Sequence, residues 1–258
     1  QQAALDARGT VLKAPAHTSV VFVAGLPLAV RGKLYNCAAV CQSGRLLGLV
    51  PKTHLPSYNE FYEGRRFTAA PAGNFTLEVL GQTVPFGTKL LFCHPKADCL
   101  KIAVEICEDV WAPLPPSVGH AMAGATLILN LSASDEVVGK AEYRRQLIAG
   151  QSARLLCGYL YADAGRGEST TDLVFAGHDL ICENGAILAQ TELFGSGMIV
   201  SEVDLEKLAG ERLKNTSFAA VNDEGYTTVQ LADTCADWQP VRPVDPAPFV
   251  PAGESERM

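Results

Sequence analysis

Short apolar runs alternate with polar, glycine-containing connections along most of the chain, and this pattern predicts β-strands joined by tight turns. The runs are rich in β-branched and small apolar residues, which strands favour. The segment Gln42-Ser43-Gly44-Arg45 predicts a hairpin, and Asn184-Gly185 is a signal for a type I′ turn. The predicted strands are Ser19–Ala24, Tyr35–Cys41, Leu46–Pro51, Leu90–Cys93, Lys101–Cys107, Thr126–Leu131, Thr171–Phe175, Asp179–Cys182, Ala186–Gln190 and Met198–Val203.

Helical patterns interrupt the strands at several places. Gly139–Cys157 has apolar residues at the spacing of a buried stripe and charged residues in its first turns, so it predicts the longest helix. His120–Gly124 follows two prolines and predicts the end of a short helix, and Asp204 is expected to cap a helix through about Leu213. Strands mixed with covering helices predict a layered α/β architecture.

The two ends of the chain differ from its middle. Gln2–Asp6 has the composition of the tail of a helix, with Gly9 as its stop. Between Pro240 and Pro251, five of twelve residues are proline, which predicts an extended linker. We therefore expect residues 1–238 to form one domain that lacks its N-terminal segment, and residues 239–258 to lead toward a further C-terminal domain.

Composition narrows the class of protein. The net charge is −7 and the isoelectric point is about 5.3, so we expect no binding to nucleic acid or to anionic lipid. The longest apolar run, Val20–Val30, contains a glycine and a proline and is much shorter than the ~20 residues of a membrane helix, so we expect no membrane span. Eight cysteines without CxxC spacing predict reduced thiols, a cytoplasmic location and no metal site.

Two segments place a reactive side chain directly after an apolar strand. Lys52 follows Leu46–Pro51, while Cys107 ends Lys101–Cys107 and precedes two acids and several prolines that turn the chain sharply. Strand ends of α/β proteins are where sites are commonly built. Taken singly, Lys52 could be a solvated strand-end lysine and Cys107 a small buried apolar residue. Together, they indicate a thiol nucleophile beside a cation.

These segments resemble the nitrilase-type carbon–nitrogen hydrolase superfamily and, within it, the glutaminase domain of glutamine-dependent NAD⁺ synthetases. The resemblance extends from about Val20 to Leu213. The motifs around Lys52 and Cys107 are similar to the superfamily as a whole, whereas the later segments are similar to the NAD⁺ synthetase branch. The matching segments are Pro51-Lys52-Thr53-His54-Leu55-Pro56, Glu60-Phe61-Tyr62-Glu63, Glu105-Ile106-Cys107-Glu108-Asp109, Asn130-Leu131-Ser132-Ala133-Ser134, Gly139-Lys140-Ala141-Glu142, Gly167-Glu168-Ser169-Thr170-Thr171-Asp172 and Glu183-Asn184-Gly185.

The resemblance implies a four-layer α-β-β-α sandwich and a Glu-Lys-Cys triad. By that resemblance, Cys107 is the nucleophile that forms a thioester, Lys52 stabilises the oxyanion, and Glu63 is a helper that holds Lys52. The family's general-base glutamate precedes the lysine, but the first glutamate of this sequence is Glu60. We therefore expect the segment that carries the base to be absent, and this polypeptide alone to have little glutaminase activity.

The resemblance also implies a substrate and partners. Tyr58 matches an aromatic residue of the glutamine pocket, and Ser134 and Lys140 match positions that contact the amino-acid head group. The implied function is release of ammonia from L-glutamine for a C-terminal NAD⁺ synthetase domain, which would use ATP and Mg²⁺. This chain contains no SGGxDS phosphate loop, so we expect no cofactor of its own. A homo-oligomer is also expected. The alternatives are a stand-alone amidase or carbamoylase, and a non-catalytic interaction module.

Overall fold

The computed structural model describes residues 18–168, 172–218, 220–233 and 241–242. These residues form two β-sheets and three α-helices. The predictions for Gln2–Asp6, for Ser169–Thr171 and for most of the proline-rich tail lie outside the described residues. The strands are β1 Val21–Val30, β2 Lys33–Gln42, β3 Arg45–Pro51, β4 Phe75–Val79, β5 Gln82–Phe86, β6 Leu90–Cys93, β7 Lys101–Ile106, β8 Leu127–Ser132, β9 Gly158–Asp163, β10 Leu180–Glu183, β11 Ala186–Gln190 and β12 Thr227–Gln230.

The first sheet has five strands in the order β1-β2-β3-β5-β4. Two hairpins build its first half, with turns at Arg31-Gly32 and Ser43-Gly44. All four of these residues have positive φ, between 48° and 76°, which type I′ turns require and which glycine adopts without strain. Strand β1 is longer than predicted and continues through Pro27. A proline without an N–H is tolerated there because β1 is an edge strand.

The second sheet has seven strands in the order β11-β10-β9-β8-β7-β6-β12. Its central strands β7, β8 and β9 are parallel, with Ile106 opposite Leu131 and Ser132 opposite Asp163. Their carboxyl ends therefore lie along the same edge of the sheet. The residues that follow these strands are brought together at this edge, which is where α/β folds place their sites.

Three helices accompany the second sheet: α1 Pro116–Met122, α2 Lys140–Leu155 and α3 Leu205–Lys214. All three confirm helices predicted from the sequence. Asp204 caps α3 by accepting the backbone N–H of Lys207 at 2.9 Å. Helix α3 is fixed by Arg212, whose guanidinium donates to the carbonyls of Ala125, Leu155 and Leu156. No helix of the described ranges is long and apolar enough to cross a bilayer.

The core lies in layers that follow the sheets. One apolar layer joins the facing sides of the two sheets and includes Val40, Val50, Phe92 and Val104. Another lies between the seven-stranded sheet and the helices, where Ile128, Ile148, Leu155 and Tyr159 are fully or almost fully buried. Burial of these apolar faces is the main force that holds the layers together. The predicted α/β sandwich is confirmed.

Some predicted strands are wrong. Met198–Val203 forms no strand, and Met198 and Val200 are exposed. The part of Thr171–Phe175 that the structure describes makes only an isolated bridge between Phe175 and Asp135. Short apolar runs of this kind lack a sheet edge to pair with, and propensity alone does not supply one. Strands β4, β5 and β12 were not predicted, because their polar and apolar residues alternate without forming an apolar run.

Candidate active site

Cys107 sits at a strained turn directly after β7. It begins a short 3₁₀ helix, Cys107–Val110, and its φ is +49°. A residue with a side chain adopts this backbone conformation rarely and at a cost in free energy, and such residues cluster at functional sites. The conformation is held in part by Asn130, whose side-chain oxygen accepts the Cys107 N–H at 3.0 Å.

Lys52 lies at the end of β3 and forms a buried ion pair with Glu63. The Lys52 ammonium is 2.5 Å from one oxygen of the Glu63 carboxylate. The other oxygen accepts a hydrogen bond of 2.7 Å from the side-chain amide of Asn36 on β2. Glu63 is therefore held on both sides and fixes the position of the Lys52 side chain, whose exposed fraction is only 3%.

The charges around Lys52 keep its ammonium protonated. Burial by itself would lower the pKa of this group. The electrostatic influence of Cys107, Glu63 and Asp109 outweighs that effect, so the pKa of Lys52 is raised above its usual value. A fixed cation beside the thiol can stabilise negative charge that develops on a bound carbonyl oxygen.

Asp109 joins the turn that carries Cys107 to the segment that carries Lys52. Its buried carboxylate accepts the backbone N–H groups of Ile106 at 2.9 Å, Thr53 at 3.1 Å and His54 at 2.7 Å. Burial raises the pKa of Asp109 to about 6, although these three hydrogen bonds favour the charged form. The sequence shows the acid near Cys107 but gives no sign of this link to the segment that carries Lys52.

A cavity of about 760 Å³ lies between the two sheets and is lined by Cys107, Lys52 and Glu63 together. Other carboxylates also line this cavity, namely those of Asp163, Glu168 and Asp179. The first and last of these accept backbone N–H groups, Asp163 from Ser134 and Asp179 from Asp163. The three predicted catalytic side chains therefore line the same cavity.

A second cavity, of about 460 Å³, adjoins the first at Cys107 and contains the three predicted substrate residues Tyr58, Ser134 and Lys140. The Tyr58 hydroxyl donates to Glu108 at 2.9 Å, and its pKa is raised by burial and by that carboxylate. Lys140 pairs with Asp135, and its ammonium lies 5.4 Å from the centre of the Trp111 ring.

Several supporting residues were missed by the sequence analysis. The residues that hold the predicted site residues in position are Asn36, Asp109, Asn130, Asp163 and Arg144. Arg144, for example, is fully buried and donates to the Ser134 hydroxyl at 3.2 Å. The available signal was a polar residue within an apolar run, as at Asn130 in β8. The described residues contain no cluster of three or more His, Cys, Asp or Glu side chains placed to bind a metal ion.

Comparison with known proteins identifies the family. The family model for carbon–nitrogen hydrolases matches residues 9–212. The chain belongs to the carbon–nitrogen hydrolase family. It is 43% identical over 242 residues to a glutamine-dependent NAD(+) synthetase of Mycobacterium tuberculosis, covering 90% of this chain and 36% of that protein. It is 40% identical over 252 residues to a glutamine-dependent NAD(+) synthetase of Mycobacterium leprae, covering 94% of this chain and 37% of that protein.

Solved structures agree with this assignment. A glutamine-dependent NAD(+) synthetase from Cytophaga hutchinsonii matches with a TM-score of 0.64 and 30% identity, over 75% of this chain and 31% of that one. A carbon–nitrogen hydrolase from Helicobacter pylori matches with a TM-score of 0.64 over 83% of this chain and 71% of that one. At 18% identity, the second match shows the fold alone. The chain spans about a third of the length of the curated relatives it matches.

Proposed function

We propose that this carbon–nitrogen hydrolase hydrolyses the side-chain amide of L-glutamine and supplies ammonia for NAD⁺ synthesis. The observation that carries the proposal is that Cys107, Lys52 and Glu63 line the same cavity. The identity to glutamine-dependent NAD(+) synthetases over most of the chain supports glutamine as the substrate.

Each side chain has a physical role in the proposed reaction. The Cys107 thiolate attacks the amide carbon, and the oxyanion of the tetrahedral intermediate is stabilised by Lys52. The carbon–nitrogen bond then breaks, the nitrogen takes a proton and leaves as ammonia, and a thioester remains. Water hydrolyses the thioester to glutamate and restores the thiol. The Cys107 N–H does not serve the oxyanion, because it is donated to Asn130.

The second cavity would hold the amino-acid head group of glutamine. Lys140 lies at the N-terminus of α2, where the helix dipole and its own charge both favour a carboxylate. Ser134 supplies a hydroxyl to the same cavity, and Tyr58, with an exposed fraction of 51%, also lines it. These positions leave the side-chain amide pointing toward Cys107, which lines both cavities.

We also propose that the general base comes from a residue outside these 258. Three of the four carboxylates that line the first cavity are engaged, Glu63 by Lys52 and Asn36, and Asp163 and Asp179 by backbone N–H groups. The fourth, Glu168, is the candidate within this chain to test beside Glu63. General acid–base catalysis contributes ~10²–10⁴-fold, so this polypeptide should hydrolyse glutamine more slowly than a longer one that carries the base by about that factor. Steady-state ammonia release from both checks this. Equal rates would instead assign the base to a carboxylate of this chain, with Glu63→Gln the first variant to make.

The partner in this proposal is a C-terminal NAD⁺ synthetase domain that consumes ammonia and uses ATP with Mg²⁺. The relatives, which are named for the whole reaction, are about two and a half times as long as this chain. We further propose that the protein works in the cytoplasm, where its cysteines stay reduced, and assembles as a homo-oligomer.

Uncoupling the two activities tests the function. In the full-length protein, Cys107→Ala should abolish glutamine-dependent NAD⁺ formation and leave ammonia-dependent formation within about twofold, because the thiol acts only in amide cleavage. Cys182→Ala, which removes a buried thiol on β10, is the matched control and should keep both activities. Equal loss of both activities in Cys107→Ala would contradict a separate glutaminase role. Hydrolysis of other amides in preference to glutamine would favour the amidase alternative.

A further inference from the structure

A buried chain of hydrogen bonds leads from Glu105 to the backbone of Cys107. The Tyr159 hydroxyl donates to one oxygen of Glu105 at 2.5 Å, and the side-chain N–H₂ of Asn130 donates to the Tyr159 oxygen at 3.1 Å. The Asn130 oxygen then accepts the Cys107 N–H at 3.0 Å. The other oxygen of Glu105 accepts the backbone N–H of Ser117 at 2.8 Å.

This chain of hydrogen bonds lies behind the active site, between the seven-stranded sheet and the helices. Glu105 and Asn130 are directly opposite each other on the parallel strands β7 and β8, and Tyr159 is on the next strand, β9. Ser117, on α1, closes the far end. The exposed fractions of Glu105, Asn130 and Tyr159 are 1%, 1% and 0%. None of these side chains lines either cavity, so none is placed to touch substrate.

When Glu105 is ionised, the chemistry of the groups fixes the direction of every bond. An ionised carboxylate can only accept, so Tyr159 must then donate its proton to Glu105. The Tyr159 oxygen is then left as an acceptor, which turns the nitrogen of the Asn130 amide toward it. The Asn130 oxygen consequently faces Cys107, whose N–H it accepts. The charge of Glu105, which is two hydrogen bonds away, therefore sets the orientation of the Asn130 amide.

Burial makes an incorrect orientation costly. If the Asn130 amide were reversed, its N–H₂ would face the Cys107 N–H, and two donors would meet without an acceptor. That N–H is one of the groups that hold Cys107 at its positive φ. Burial raises the pKa of Glu105 to about 7, although Tyr159 and Ser117 favour the charged form.

We propose that Glu105 is a positioning residue for Cys107, which acts through Tyr159 and Asn130 to fix the backbone that carries the thiol. The inference rests on the proposed role of Cys107 as nucleophile. It adds to that role a group that touches neither glutamine nor the thiol but determines which way the Asn130 amide points.

Reversal of the hydrogen-bond direction provides the test. In Glu105→Gln, the introduced side-chain amide has to donate to Tyr159 if it still accepts the Ser117 N–H. The Tyr159 hydroxyl then donates toward Asn130. The Asn130 amide has to reverse so that its oxygen accepts this hydrogen bond. In Asn130→Asp, two carboxylates compete for the one Tyr159 proton. The double variant restores every bond, with the two bonds of the Tyr159 hydroxyl reversed in direction. The glutamine introduced at position 105 donates to Tyr159, which donates to the aspartate introduced at position 130, and that aspartate still accepts the Cys107 N–H.

We expect Glu105→Gln to change kcat in opposite directions in the wild-type protein and in Asn130→Asp. In the full-length protein, Glu105→Gln should lower kcat for glutamine hydrolysis by at least tenfold with KM changed less than threefold. The same substitution should raise kcat at least tenfold when it is added to Asn130→Asp. Electrostatics alone cannot produce the first effect, because removing a buried negative charge near a thiol favours the thiolate. The proposal would be overturned if the effects of the two substitutions on kcat simply multiplied. It would also be overturned if the single variants were as active as the wild type.

Two further measurements keep the result clear. The rate of Cys107 alkylation by iodoacetamide should follow the same pattern, and it does so without any need for glutamine hydrolysis. Failure of the proposed function is then recognised by an inactive wild-type protein whose alkylation rates still follow the pattern.

Tyr159→Phe preserves the shape of the core and should lower both kcat and the alkylation rate. Unchanged rates would overturn the proposal even if the variants at Glu105 and Asn130 failed to fold. Glu183→Gln, at a buried glutamate on β10, is the matched control and should keep wild-type kcat.

Discussion

At the scale of single residues, the site depends on buried polar groups whose partners are backbone atoms. Asp109 is the clearest case, because three N–H groups from two separate segments converge on one carboxylate. Two of these N–H groups belong to the residues after Lys52, and the third precedes Cys107. Asp109 thus controls the distance between the lysine and the thiol, although it takes no chemical part in the proposed reaction.

Asp109→Asn should separate this positioning from binding. Asparagine keeps one acceptor oxygen but places an N–H₂ against one of the backbone donors, which costs about 1–3 kcal/mol of stability when buried. We expect kcat to fall about 10–100-fold, since small displacements of reacting groups lower rates strongly, and KM to change less than threefold. Steady-state kinetics with glutamine measures both values.

A matched control uses another aspartate that caps backbone N–H groups. Asp204→Ala removes the carboxylate that caps α3, and Asp204 lines neither cavity. It should lower the unfolding temperature and leave kcat unchanged. An Asp109→Asn protein that loses stability to a similar degree but keeps wild-type kcat would show that Asp109 is purely structural.

The sequence predicted some site residues and not others for a physical reason. Lys52 and Cys107 lie at the ends of predicted strands, and Glu63 belongs to the short motif Glu60-Phe61-Tyr62-Glu63 after Lys52, so their neighbours along the chain identify them. Asn36 and Asn130 act across strands, and their roles depend on register. Register is set by packing and turn geometry over the whole sheet, and no local pattern contains it.

At the scale of elements, the two sheets are tied together near one end by Asn74. Its side-chain N–H₂ donates to the carbonyl of Lys89 at 2.7 Å and to the hydroxyl of Thr227 at 3.0 Å. Asn74 directly precedes β4 of the first sheet, while Lys89 and Thr227 lie at the start of β6 and β12 in the second. The loop after β5 passes so close to Asn74 that only glycine fits at position 87.

Gly87→Ala should therefore weaken the joint between the sheets. A Cβ at Gly87 would lie 2.0 Å from the Asn74 side-chain oxygen and 2.9 Å from its Cα, which is backbone and cannot move away cheaply. We expect a loss of about 1–3 kcal/mol in the free energy of unfolding, as for other overpacked sites. Urea denaturation measures it. Gly73→Ala is the control, because nothing lies within 4 Å of its Cβ; an equal effect of the two substitutions would contradict this account.

Elements were predicted best where one local signal decided them. The hairpin of β2 and β3 has a glycine turn between two apolar runs, and α3 has an aspartate cap, so both are confirmed. Strand β12 pairs with β6 from more than a hundred residues away, and its identity as a strand depends on that edge being open. Such a pairing is decided by the assembled sheet, so local propensity could not reveal it.

At the scale of the whole molecule, several buried groups titrate at unusual pH, and their effects on stability oppose one another. Burial raises the pKa of Glu105 to about 7 and that of Asp109 and Asp163 to about 6. The stability that these acids contribute is complete below their unfolded pKa and is lost as the pH rises through the folded values. Burial lowers the pKa of His120 to about 4, so its contribution is lost in the opposite direction, as the pH falls below about 6.5.

Glu105→Gln isolates one of these contributions, because the amide does not titrate. Between pH 6 and pH 8 the folded wild-type protein releases the Glu105 proton, whereas the unfolded chain has already lost it. The free energy of unfolding should therefore fall by about 1 kcal/mol more in the wild type than in the variant over this range. Urea denaturation of both proteins at pH 6, 7 and 8 measures the difference, and the contribution of His120 cancels because both proteins contain it. Asp163→Asn should instead change the pH dependence between pH 4 and 6, the range set by its own folded pKa. Parallel curves for the wild type and Glu105→Gln would mean that Glu105 is already ionised at pH 6.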